Sequence, residues 1–136
     1  MIEHRNEKGE LHRVDGPAVE DKDGIREWFV DGKRHRTDGP AVVYADRYQS
    51  WWVDGKRHRT DGPAVVGAGG YHEWWVDGKK HRTDGPAFKD KDGYQAWYLN
   101  DKRHRVDGPA VVRSDGSCEW WVDGEFIKSE RVKEKE

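Results

Sequence analysis

Leucine occurs twice in this chain of 136 residues, isoleucine three times, and methionine and cysteine once each. That scarcity excludes a core of ordinary aliphatic packing spread evenly along the chain. The lone Cys118 excludes an intramolecular disulfide framework and fits a reducing compartment, with only an intermolecular bridge left open. Long apolar runs are missing too. No stretch nears the roughly 18 residues of a membrane span, and Met1 to Lys8 holds no apolar signal region, so we expect a cytosolic protein of host or viral origin. A dominant charge sign is also absent: 25 Lys and Arg face 27 Asp and Glu, for a formal net charge of -2. Without a strong net field, electrostatic recognition must come from local pattern.

What the chain has instead is aromatic residues, 12% of the total with eight Trp, set in a strict repeat. His-Arg-x-Asp-Gly-Pro-Ala begins at His12, His35, His58, His81 and His104, and those five motifs account for all five prolines. The same 23-residue period carries Trp28, Trp51, Trp74, Trp97 and Trp120, then Phe29, Trp52, Trp75, Tyr98 and Trp121, then Val30, Val53, Val76, Leu99 and Val122. Such self-similarity specifies a repeat architecture before any other reading.

Two turns punctuate each unit. Asp31-Gly32, Asp54-Gly55, Asp77-Gly78, Asn100-Asp101 and Asp123-Gly124 form the first set; Asp23-Gly24, Asp46-Arg47, Gly69-Gly70, Asp92-Gly93 and Asp115-Gly116 form the second. Asp-Gly between extended runs is a strong hairpin signal, because both residues tolerate positive φ. The six residues between turns, such as Tyr71 to Val76, suit one strand. In the return segment Asp84-Gly85-Pro86 reads as turn chemistry, a bend between half-strands, since proline cannot donate to a ladder. Two strands per unit keep every unit in one orientation. The expected fold is therefore all-β, an elongated antiparallel meander of about five hairpin units in a single twisted sheet. A β-helix would stack like charges at ~4.8 Å, whereas the meander separates copies by roughly 10 Å.

The segment Trp52 to His58, Trp-Val-Asp-Gly-Lys-Arg-His, with turn residues such as Tyr44-Ala45-Asp46 in the neighbouring unit, resembles a variant of the MORN repeat, whose period is also near 23. The resemblance covers residues 9 to 124. It departs where Arg59-Thr60-Asp61-Gly62-Pro63-Ala64 stands in place of the glycines usual after the equivalent of His58. It implies a hairpin-stacked sheet used for protein assembly and, in some members, for phosphoinositide contact. Residues 1 to 8 read as an N-terminal cap that has lost its aromatics, with Arg5 and Asn6 at the Trp positions; 9 to 124 as the repeat domain; 125 to 136 as a C-terminal cap and charged tail.

A tight turn at Asp77-Gly78 sets Val76 against Lys79, Trp75 against Lys80, Trp74 against His81 and Glu73 against Arg82. Alternation then places Trp74, Val76, Lys79 and His81 on one face, taken as the packed one, and Glu73, Trp75, Lys80 and Arg82 on the other. The candidate partner-binding residues lie on that second face: Trp52, Trp75, Tyr98 and Trp121, with Arg59, Arg82 and Arg105 and the further cations Arg57, Lys80 and Arg103. Aromatics and Arg are the residues enriched in interface hot spots. No cofactor, metal or catalytic set is expected. The five His-x-x-Asp pairs, such as His58 and Asp61, recur along an axis instead of converging, which suits a packed His donating to a carbonyl or Asp better than a zinc site. The glycines Gly67, Gly69 and Gly70 lack the Lys-Ser or Lys-Thr of a phosphate loop.

The expected function is thus a non-enzymatic protein-protein interaction module, by analogy an inhibitor or adaptor of viral, phage or bacterial origin. The alternative is a binding module for a nucleotide, nucleic acid or phospholipid through the Lys56-Arg57-His58-Arg59 segments and their copies. Against nucleic acid, the four 23-residue windows from Asp31 to Val122 carry only +1, 0, +1 and 0. Self-association through exposed edge strands is a further option.

Overall fold

The computed structural model describes residues 1–131. Its ordered elements are β throughout, apart from one 3-10 turn at Ala68–Gly70. Twelve antiparallel strands follow one another in chain order, from Ile2–Glu3 at one edge to Glu125–Glu130 at the other. Each unit adds two strands, for example Val65–Val66 and His72–Glu73, and sends out one separate hairpin, Trp75–Val76 with Lys79–Lys80. The tight turns are as the sequence requires: φ is +50 at Asp77 and +78 at Gly78, and the copies at Asp31, Asp54, Asn100 and Asp123 match.

The register expected from that turn holds for Val76 with Lys79 and Trp75 with Lys80. It extends to Trp74 with His81, joined by one hydrogen bond, and fails at the next step. Glu73 is paired with Val65 and Phe88, not with Arg82. The six-residue strand is in fact two short ladders that meet at Trp74. That residue's N–H donates to Ala87 O at 2.7 Å, inside the main sheet, while its carbonyl accepts from His81 N at 3.1 Å, inside the hairpin. Trp28, Trp51, Trp74 and Trp97 each hand the chain from one ladder to the other in this way, and the segment from Arg82 to Pro86 is a detour that interrupts alternation.

The core also lies elsewhere than the packed face expected from Trp74, Val76 and His81. Wholly buried are the Ala and Val that follow each Asp-Gly-Pro: Ala18, Ala41, Ala64, Ala87 and Ala110 at 0% exposure, with Val42, Val65 and Val111 at 2% or less. Val19, Glu27, Val42, Ser50, Val65, Glu73, Phe88, Ala96, Val111 and Glu119 form one continuous row of cross-strand partners. Strand pairs at close spacing bury small side chains completely, whereas the Trp of both columns stay half-exposed.

The detour has its own architecture. Arg82 lies flat on Trp74, with Cζ 3.8 Å from the ring centroid, while its Nε donates to Asp84 Oδ1 at 2.8 Å and Nη1 donates to Pro86 O at 3.1 Å. Arg36, Arg59 and Arg105 repeat this clamp on Trp28, Trp51 and Trp97. The Arg82 guanidinium holds the Asp84 carboxyl below its usual range. Gly85 is required here for a reason other than turn chemistry: its φ is not positive, but a Cβ would sit 2.8 Å from Arg82 Cζ. Gly85→Ala should therefore displace the guanidinium and cost about 1–2 kcal/mol, the scale of a lost cation-π contact and hydrogen bonds. In a double-mutant cycle with Arg82→Ala read by urea unfolding, the two losses should be clearly less than additive.

Units are latched by histidine. The N–H of Asp77 donates to His58 Nδ1 at 3.0 Å, and the same bond joins His12 to Asp31, His35 to Asp54, His81 to Asn100 and His104 to Asp123. The same Nδ1 of His58 lies 3.4 Å from Asp77 Oδ1, so the ring meets both the backbone N–H and the carboxylate of one turn residue. The histidines accept where donation was expected, and their partner is the turn of the next unit, not the Asp three residues on. His58→Ala should lose about 1 kcal/mol in thermal unfolding, and His58→Asn, whose carbonyl can also accept, should recover part of it.

The ends differ from the middle. Asn6 Oδ1 accepts from the N–H groups of Lys8 and Glu10, closing the first turn with side-chain bonds. Glu125–Glu130 pairs with Cys118–Val122 without a detour, through one register shift between Trp120 and Trp121, and Lys128 Nζ sits 4.4 Å above Trp120 in place of the clamping Arg. The charged tail at 132–136 lies outside the described residues. Among the described residues no helix is long and apolar enough to cross a membrane.

Candidate aromatic and cationic interface

The second aromatic column builds a ladder along one face. Arg34 Cζ lies 5.7 Å from Phe29 and 5.2 Å from Trp52; Arg57 Cζ lies 5.1 Å from Trp52 and 5.2 Å from Trp75. Lys80 Nζ continues it, 5.6 Å from Trp75 and 5.1 Å from Tyr98, and Arg103 Cζ ends it 5.0 Å from Trp121. Cations thus alternate with rings, one of each per unit. The cause is local: the tight turn sets the aromatic of one strand opposite the cation of the next, and the following hairpin supplies the second ring.

Seven of the ten expected residues are brought together: Trp52, Trp75, Tyr98, Trp121, Arg57, Lys80 and Arg103. The other three are not. Arg59, Arg82 and Arg105 belong with Trp51, Trp74 and Trp97, and Arg82 lines a groove with Val76 and His81 on the opposite side of the hairpin. Their departure follows from the detour, which restarts the alternation that placed them beside Trp75.

Anchors below the rings explain an irregular column. Trp75 Nε1 donates to Glu73 Oε1 at 3.0 Å, Trp121 Nε1 to Glu119 Oε1 at 2.9 Å, and Trp52 Nε1 to Ser50 Oγ at 2.8 Å. Where the ring lacks an N–H the acceptor is released: Glu27 turns to Arg34 at 3.3 Å, and Ala96 stands two residues before Tyr98. Glu73, 8% exposed, also accepts from Tyr71 OH at 2.6 Å. Burial, then this bond, pushes the Tyr71 hydroxyl up from its usual range. Arg113, paired with Glu119, holds that carboxyl low.

Five further aromatics widen the face, and sequence reasoning did not place them there. Tyr71 and Tyr94 pack edge-on to Phe88 at 5.4 and 5.6 Å, Lys80 Nζ is 5.7 Å from the Phe88 ring, and Tyr44 stacks on Tyr48 at 5.3 Å beside the second turn. The available signal was spacing, since Tyr48, Tyr71 and Tyr94 each precede a ladder aromatic by four residues and so share its face.

The basic segments do not act as one patch. In Lys56-Arg57-His58-Arg59, Arg57 enters the ladder, His58 latches Asp77 and Arg59 clamps Trp51 and Asp61. Asp61, three residues after His58 in the recurring His-x-x-Asp spacing, is thus held by Arg59. Among the described residues no cluster of His, Cys, Asp and Glu has the makings of a metal site. No protein-family model matches the chain, and no curated protein matches it significantly.

Proposed function

We propose that this chain is a non-enzymatic protein-protein interaction module that binds its partner through the aromatic and cationic ladder. The observation that carries the reading is that Arg57 and Lys80 stand between half-exposed rings with no carboxylate in ion-pair reach among the described residues, and the Arg57 Nε is buried without an acceptor. A cation kept from its counter-ion and flanked by Trp and Tyr has the composition of an interface hot spot. The proposed setting is cytoplasmic, the proposed role that of an inhibitor or adaptor, and kinship with MORN repeats belongs to the same proposal.

Docking of a nucleotide, nucleic acid or phospholipid by the Lys-Arg-His-Arg segments is the weaker alternative, because their cations diverge. Pull-down from native lysate at low and moderate salt, with nuclease treatment, separates the two. A protein captured by the wild type and lost with Trp75→Ala/Arg57→Ala, yet kept with Arg82→Ala, is the expected result. Capture of nucleic acid alone, abolished by salt, would reverse the assignment.

A further inference from the structure

We propose that the ladder receives an extended acidic segment of a partner protein, held in the polyproline II conformation with a carboxylate at every third residue. This rests on the interaction reading and narrows it to one partner chemistry.

Charge comes first. Three carboxylates lie beneath the rings, and each is engaged: Glu27 with Arg34, Glu73 with Tyr71 and Trp75, Glu119 with Arg113 and Trp121; Asp101 and Asp123 lie at the turns that border the far end. Arg57 and Lys80 have no such partner, and Arg103, whose Nε lies 3.4 Å from the Tyr98 hydroxyl, shares the field of Glu119 with Arg113. The face therefore offers two unmatched cations in line, Arg57 and Lys80, with the partly compensated Arg103 beyond them. A second copy of this chain would set like charges against them, which disfavours a face-to-face dimer.

Ring geometry comes second. Because two cations lie 5.1–5.6 Å from the ring centroid of each of Trp52 and Trp75, the central rings have no free face on which bases could stack. What the ladder presents outward is ring edges and cation tips, suited to carboxylates and to the flat flanks of proline.

Spacing comes third. The cations recur once per hairpin unit, two strands or about 10 Å apart. A polyproline II segment turns once in three residues and rises ~3.1 Å per residue, so every third side chain returns to the same side after about 9 Å. In a β-strand, same-side residues recur at about 7 or 13 Å and miss the interval. An α-helix can match it with residues seven apart, but a cylinder of about 10–12 Å needs a groove of that width. Here the recess at the ladder's end is an open step bounded by Tyr98, Arg103 and Trp121, with Asp101, Lys102 and Asp123 on its turn side.

The test titrates the full chain with synthetic peptides and follows Trp fluorescence and calorimetry: one of repeated Glu-Pro-Pro, one of repeated Lys-Pro-Pro, and one helical with Glu every seventh residue. Saturable binding of the Glu-Pro-Pro peptide alone, weakened at least tenfold by Arg57→Gln/Arg103→Gln at a temperature where the variant is shown to be folded, is the expected result. Lys80→Gln alone should weaken it by a smaller factor, which keeps the test sound where the double variant is unstable. No saturable binding, equal binding of the helical peptide, or undiminished binding by the variants would overturn the proposal. If the peptide fails while Trp75→Ala still abolishes capture of a protein, only the polyproline assignment falls; if that capture fails too, the interaction reading falls with it.

Discussion

Ala64→Leu should be among the most damaging single substitutions in this protein, costing about 3 kcal/mol or more and broadening the unfolding transition. Ala64 is wholly buried, its N–H donates to Glu73 O at 2.8 Å, and its carbonyl accepts from Trp51 N at 2.7 Å. Three added carbons cannot be absorbed by moving the backbone without breaking those bonds, and overpacking a tight site costs about 1–3 kcal/mol before any bond is lost. The site is also central. In an array where each unit touches only its neighbours, a failed middle unit uncouples both flanks. Urea unfolding followed by far-ultraviolet circular dichroism should give a lower midpoint and a shallower slope; an unchanged midpoint would show that the row of alanines is not the core.

Trp74→Ala should come next, at about 2–3 kcal/mol. Full truncation of a buried Trp costs about 3–5 kcal/mol, and this ring is half-exposed. To the lost area is added the Arg82 clamp, which stacks on that ring at 3.8 Å, and the edge-on contact with His72 at 5.5 Å. Trp75→Ala, in the ladder, should by contrast spare the clamp and weaken partner binding above all. Thermal unfolding of the two variants side by side, with partner capture on the same samples, checks the division. Equal loss of stability with equal loss of binding would show that the two Trp columns do not have separate tasks.

The fold was legible because its signals are local. Asp77-Gly78 admits one turn type, and that turn alone aligns Trp75 with Lys80. Legibility ended where the backbone left the ladder. From Arg82 to Pro86 the chain obeys a side-chain clamp, so alternation counted through it put Arg59, Arg82 and Arg105 beside the wrong Trp column. The core was misjudged for another reason: Trp74 carries the stronger hydrophobic signal, but close strand spacing buries Ala87 completely and leaves the large ring half out. Gly85 looked like a turn residue because a sequence does not display the guanidinium that presses on it.

The histidine latch sets how the chain can be made. His58 reaches forward 19 residues to Asp77, and no side-chain hydrogen bond among the described residues spans more than 25. For an all-β protein this is a short reach, closer to that of helical bundles than of sandwiches, whose distant pairings slow their assembly. Each hairpin can dock on its predecessor as soon as it leaves the ribosome, without waiting for the C-terminus. Growth by successive docking leaves one advancing edge at every stage, opposite the fixed edge at Ile2–Glu3, and the strand Glu125–Glu130 takes the advancing position last.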